Sequence, residues 1–256
     1  MNETKTMRHP RTQTPSPVLK QAWVPLIALS IGLLAATPAL SQSVGSGCGP
    51  LPIPGQNGPW DYRTDRDKLP IVLNAHFTPE VEALVRGHTG ETPGGDISYT
   101  LVSIPNNPRA LMAMMRLGEK EKTPQPKGSR FSVQCWFERA TTFRPDDAVV
   151  RMIYSTYLVK RGRTPEANAQ LEQATVHAKD NGFTHYNIGL HYFDMKNYDQ
   201  ALVQAHKAMA LGFTHTVLRD QLQQAGKWSD PPPDAPPLAP PAAAASSAPA
   251  AVEPAK

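Results

Sequence analysis

The chain has 256 residues, of which 40% are hydrophobic and 19% are charged. This composition is enough for one buried core with flanking segments. The formal net charge is +4, but the first 20 positions alone, with four basic residues and one acidic residue, carry about +3 of it. The rest of the chain is nearly neutral. Because phosphate binding needs concentrated Lys and Arg, nucleic acid is excluded as an expected partner.

Residues 1–41 have the layout of a bacterial secretory signal peptide. A basic, polar stretch precedes the apolar run 24–36, and small residues follow that run. Cleavage after Ser41, with Ala39 two residues before it, fits the small-residue pattern at such sites. An uncleaved anchor is the alternative, because the run 24–40 approaches the ~20 residues that a membrane span needs. Both interpretations predict a periplasmic or secreted body, with the membrane contacted only through this segment.

Residues 42–69 are dense in Pro and Gly and predict an extended, non-helical arm. The arm holds Cys48, and the only other cysteine is Cys135. An oxidising compartment favours one disulfide between them, which would attach the arm covalently to a helix. Two free thiols remain the alternative, because the sequence does not supply the Cα separation that a disulfide requires.

From position 70 onward, helix start signals dominate and no alternating strand pattern of useful length occurs. Capping residues, several of them followed by Pro, stand at Thr78, Asn107, Asp146-Asp147, Thr164 and Asn197. The body is therefore predicted to be all-α. Within 70–145 we expect divergent helical hairpins. The predicted helices cover 78–87, 96–104 and 108–117, and about eight extra residues around 119–127 lengthen the turn after the third. We assign no element to residues 71–73.

A repeat appears when the segment 182–213 is laid over 148–179, an offset of 34 residues. Small residues and helix-packing residues then recur at matched places: Ser155 with Gly189, Leu158 with Tyr192, Ala167 with Ala201, and Ala174 with Ala208. Small residues at such positions let two antiparallel helices approach closely. One hairpin of this kind cannot bury its apolar face alone, so neighbouring hairpins must stack.

The second copy resembles the tetratricopeptide repeat (TPR) family. Its residues at the family's Leu-Gly, Tyr, Tyr, Ala and Ala positions are Ile188-Gly189, Tyr192, Tyr198, Ala201 and Ala208. The first copy has Arg151 and Tyr154 where the family favours Trp and Leu, so its membership depends on Ser155, Ala167, Ala174 and the register. The resemblance implies a short right-handed superhelical stack of antiparallel hairpins, with two TPR-like repeats over 146–213.

Two segments follow the repeats. Residues 214–228 form a polar-faced amphipathic pattern, which predicts a helix that caps the exposed end of the stack. Residues 229–256 are rich in Pro and Ala and have no aromatic residue, so a disordered tail is predicted. We interpret this tail as a spacer; a ligand for a proline-recognition domain is the alternative.

The TPR resemblance implies that a partner binds along the concave surface lined by the first helix of each hairpin. When the family's groove positions are aligned with this sequence in the register of the repeat, the surface consists of Ala110, Leu111, Met114, Leu117, Met152, Ile153, Thr156, Val159, Lys160, Tyr186, Asn187, Leu190, Phe193 and Asp194. These residues are mainly apolar. They predict a site for a peptide or protein of the cell envelope, whose identity stays open; the alternative occupant is the protein's own arm.

Catalysis is the less favoured hypothesis. His185 and His191 are six residues apart, which turns them to different faces of one helix, unlike a metal-binding pair with a spacing of four. No nucleophile elbow, phosphate-binding loop or dinucleotide fingerprint occurs in the sequence. We therefore expect a protein-binding module without cofactor or metal, with a metal-dependent enzyme as the alternative.

Overall fold

The structure is a computed structural model, and it describes residues 47–231. The predicted signal segment 1–41, the first residues of the arm, and the tail from position 232 lie outside the described residues. Within 47–231, no helix combines the length and the apolar character that crossing a membrane requires.

The described residues form ten α-helices and no strand, which confirms the predicted all-α class. The helices are α1 (Pro70–His76), α2 (Pro79–Glu82), α3 (Pro93–Ser103), α4 (Pro108–Lys120), α5 (Val133–Phe143), α6 (Ala148–Lys160), α7 (Thr164–Ala178), α8 (Gly182–Asp194), α9 (Tyr198–Ala210) and α10 (Val217–Gln224).

Side-chain caps explain where several of these helices begin. The Asn107 side chain accepts hydrogen bonds from the backbone N–H groups at the start of α4, and Asp147 does the same for α6. Asn197 accepts from the Gln200 N–H at the start of α9. The predicted helix over 78–87 is shorter in the structure, because α2 ends at Glu82 and Leu84 adopts a left-handed conformation with φ of 60°.

The 34-residue offset is preserved in the helices. Helices α6 and α8 begin at Ala148 and Gly182, and their partners α7 and α9 begin at Thr164 and Tyr198, so both pairs of starts follow the repeat length. Within each repeat the two helices pack side by side along their length. The described chain thus contains packed helix pairs, as a helical repeat fold requires.

The small residues of the repeat lie where the helices approach each other. Ser155, Ala167, Ala174, Ala201 and Ala208 are all 2% exposed or less. A Cβ atom on Gly189 would lie 2.4 Å from the Leu218 side chain of α10 and 3.2 Å from the Gln204 Cβ of α9. Gly189 therefore permits the close packing of α8 against both neighbours. The larger matched residues Leu158 and Tyr192 are buried, while Tyr198 is half-buried.

The arm is not extended over its described part. Residues 47–69 form a series of turns that folds against α3, α5 and the turn between α5 and α6. The predicted disulfide joins Cys48 to Cys135 of α5, across a sequence separation of 87 residues. Beside it, the buried Arg139 donates to the backbone carbonyls of Cys48 and Pro50, both at 2.8 Å. Burial lowers the pKa of Arg139 to about 10, and the nearby Arg130 adds to this effect.

A buried ionic cluster fixes the second half of the arm. Asp61 is 2% exposed and accepts from Arg63 Nη2 at 3.0 Å and from Asn106 Nδ2 at 2.7 Å. The Nε atom of Arg144, at the end of α5, lies 2.6 Å from Asp61 Oδ2. Burial by itself would raise the pKa of Asp61, but the hydrogen bonds from Arg63 and Asn106 outweigh it and hold that pKa well below its usual range.

Candidate functional site

The first helices of successive hairpins lie next to one another. Helix α6 packs directly against α4 on one side and α8 on the other. Two cavities open along this row, with volumes of about 350 Å³ between α4 and α6 and about 170 Å³ between α6 and α8. Lys160 lines both of them. We call the surface that includes the two cavities the groove.

The larger cavity is basic. It is lined by Met115, Gly118, Glu119, Lys122, Tyr157, Lys160 and Arg161. Lys160 Nζ donates to Glu119 Oε1 at 2.7 Å, and the Arg161 guanidinium lies 5.4 Å from the centroid of the Tyr157 ring. Three cationic side chains and one carboxylate thus line this space. We call this space the basic cavity.

The smaller cavity is largely uncharged. It is lined by Ser155, Thr156, Val159, Lys160, His191, Asp194 and Met195. Thr156 Oγ1 lies 3.3 Å from His191 Nδ1, which joins α6 to α8. Burial lowers the pKa of His191 below its usual 6.5, and the Asp194 carboxylate offsets only part of this effect. The imidazole is therefore neutral at pH 7, and we call this space the neutral cavity.

The structure divides the predicted groove residues by exposure. Leu111 and Met114 are 1% and 0% exposed, because α4 is surrounded by α2, α3, α5 and α6. Met152, Ile153 and Tyr186 are also buried. Thr156, Asn187, Leu190 and Phe193 are half-buried, while Val159, Lys160 and Asp194 are exposed. Among the predicted groove residues, those accessible to a partner thus begin at Thr156, and they are more polar than the predicted set as a whole.

Six of the seven residues that line the basic cavity, all except Lys160, are absent from the predicted groove. Three of the six are charged. Glu119 lies in the last turn of α4, Lys122 follows that helix, and Arg161 directly follows α6. Basic residues commonly end helices, where they interact with the free carbonyl groups. That tendency is the only local signal that indicates Lys122 and Arg161, and no local signal indicates Glu119. None of them predicts that the three side chains line one cavity.

Two groups that resemble chemical sites have structural roles in the described part of the chain. His185 is buried, with Nδ1 2.7 Å from Gln204 Oε1 and Nε2 2.8 Å from the Lys179 carbonyl, so both ring nitrogens are occupied in joining α8 to its neighbours. Potential metal-ligand atoms of Cys48, Cys135 and Glu138 lie within 4.8 Å of one another. The two sulfur atoms are bonded to each other, however, and a disulfide offers no thiolate to a metal.

These features define the class of protein as all-α, with packed helix pairs that are compatible with a helical repeat fold and with a groove along the first helices. Comparison with known protein families, curated proteins and solved structures finds no significant match. The class therefore depends on the 34-residue offset and on the helix packing described above.

Proposed function

We propose that the chain is an exported helical-repeat protein of the TPR type, a short right-handed superhelical stack whose groove binds a peptide segment of an envelope partner. The observation that carries this proposal is the pair of adjacent cavities, one basic and one neutral, that share Lys160. A cleft that combines apolar walls with a few polar groups is the usual form of a binding site.

The chemistry of the cavities suggests what the peptide contains. The neutral cavity, with Val159, Met195 and the uncharged His191 on its walls, suits an apolar side chain. The basic cavity suits a carboxylate. Its internal ion pair between Lys160 and Glu119 is exposed to solvent, and such pairs contribute only ~0–1 kcal/mol. A carboxylate of the partner can therefore replace Glu119 at little cost. We infer a peptide with an acidic residue close to an apolar one.

The route of the arm supports a separate partner over the protein's own arm as the occupant. The hydrogen bonds of residues 48–69 lead to α3, α5 and the adjoining loops, and none of those within the described chain reaches α8. Both cavities stay open in the presence of the arm. We also infer binding in place of catalysis, since His185 is fully engaged in packing.

Selection of phage-displayed peptides on the full chain tests this proposal. We expect enriched peptides that pair an acidic residue with an apolar one, and we expect Lys122→Glu combined with Arg161→Glu to weaken their binding at least tenfold. The matched control is Lys207→Glu, a charge reversal at an exposed position on α9, which should leave binding unchanged. Peptides that bind the groove variant and the wild type equally, or no enrichment at all, would contradict the proposal.

A further inference from the structure

The start of α8 carries an aromatic cluster that lies outside both cavities. Phe183 and His215 are exposed, Phe213 is half-buried and Tyr186 is buried. Phe183, in the first turn of α8, is 60% exposed, although large aromatic side chains are normally well buried. Its ring lies 5.7 Å from Phe213, and Phe213 in turn lies 4.9 Å from both Tyr186 and His215. We call these four residues the aromatic patch. Such a surface is typical of an interaction site.

The chain after α10 packs against α9, the helix that ends beside this patch. Lys227 Nζ lies 5.9 Å from the ring centroid of Tyr198, at the start of α9. The ring of Trp228 lies 5.0 Å from that of His206, two turns further along α9, and the Ser229 carbonyl accepts from His206 Nε2 at 2.8 Å. The end of the described chain thus lies against α9, with Ser229 beside His206.

Phe213 of the patch lies at the C-terminal end of α9. Its backbone N–H donates to the Ala208 carbonyl at 3.0 Å, which places it just beyond α9. At a rise of 1.5 Å per residue, His206 lies roughly 6 Å along the helix axis from Ala210, the last residue of α9. The described chain ends at Pro231, and the sequence continues with Pro232 and Pro233. Three residues in polyproline II conformation span ~9 Å, so the chain that follows can reach the patch.

The composition of the segment 231–241 matches an aromatic surface. It contains seven prolines and one leucine, Leu238, and no glycine. Proline-rich segments bind grooves lined by aromatic rings, because the polyproline II helix is preformed and loses little conformational entropy on docking. Because the segment is attached to the domain close to the patch, its effective concentration at the patch is high.

We propose that the segment 231–241 of this same chain docks on the aromatic patch and covers Phe183. The tail is thereby a ligand of its own domain, in addition to any role as a spacer. A second copy that donates the same segment is the competing occupant, and the experiment separates the two.

Methyl NMR of the leucine-labelled full chain tests the proposal, with the Leu238 resonance assigned through Leu238→Met. We expect the Leu238 methyl signals to be displaced from their random-coil position by the ring currents of the patch. Phe183→Ala should return them to that position, and circular dichroism should show an unchanged helix content, because Phe183 is largely exposed. The control Val176→Ala, at a 67% exposed position on α7, should leave the signals displaced.

Dilution distinguishes docking within one chain from docking of the tail of a second copy. For docking within one chain, the displacement should not change across a hundredfold dilution. Leu238 signals at the random-coil position in the wild type would overturn the proposal. So would a displacement that survives Phe183→Ala. A displacement that disappears on dilution would assign the patch to the tail of a second copy and would equally overturn docking within one chain.

Discussion

Replacement of Asp61 by Asn is expected to loosen the arm and lower the stability of the whole fold. The Asp61 carboxylate accepts hydrogen bonds from Arg63 and Asn106 and faces Arg144 at 2.6 Å, so it connects the arm to the end of α5. Asn has nearly the same shape but no charge. The variant therefore keeps the packing and leaves two guanidinium groups without their shared buried partner.

The expected loss of stability depends on how exposed the three charged side chains are. Removal of one member of a buried ion pair costs ~3–5 kcal/mol. Asp61 is buried, but the side chains of Arg63 and Arg144 are 36% and 39% exposed, and Arg63 keeps its ion pairs with Asp146 and Asp147. Water and these carboxylates therefore compensate part of the loss. We expect a loss of about 2–3 kcal/mol in the free energy of unfolding. For a domain of this size, that corresponds to a Tm about 5–10 °C lower.

Urea and thermal denaturation followed by circular dichroism measure this loss, with Asp67→Asn as the matched control. Asp67 lies in the same arm but is exposed, so its variant should stay within ~0.5 kcal/mol of the wild type. Because the pKa of Asp61 is lower in the folded state than its usual 3.8, its stabilisation is present above pH 4 and is lost only in stronger acid. The difference between wild type and variant should thus be constant from pH 5 to 8. Equal stability of the two Asn variants would refute the role assigned to the ionic cluster.

Two further predictions concern the disulfide and the groove. Cys48→Ser combined with Cys135→Ser should lower the free energy of unfolding by about 2–5 kcal/mol, because the disulfide closes a long loop; urea denaturation measures the loss, and alkylation of the unreduced wild type by iodoacetamide would contradict the bond. The lowered pKa of His191 means that the unfolded state binds more protons near pH 6, so the Tm of the wild type should fall as the pH drops below 6.5. His191→Gln should show a smaller fall between pH 7.5 and 5.5, and identical pH profiles would contradict the lowered pKa of His191.

Local chemistry in the sequence predicts much of the helical framework. The caps at Asn107, Asp147 and Asn197 act on backbone groups two or three residues away, so their effect can be recognised from the sequence alone. The 34-residue offset likewise predicts the starts of α6 to α9, because a repeat imposes the same packing at each copy.

Features that depend on distant parts of the chain could not be predicted in this way. Asp61 meets Arg144 only through the path of the arm, and no local pattern marks either residue. Leu111 and Met114 fit the register of a groove, but the helices around α4 bury them. The basic cavity forms because the ends of α4 and α6 lie side by side, so it requires the tertiary structure.

Covalent capture in cells tests the central proposal most directly. A photo-crosslinking amino acid would replace Val159, which lines the neutral cavity, or Val176, which is exposed on α7 as the control. We predict one discrete adduct with an envelope protein from position 159, its loss when Lys122→Glu and Arg161→Glu are added, and no such adduct from position 176. The same adducts from both positions, or none from position 159, would contradict a partner-binding groove.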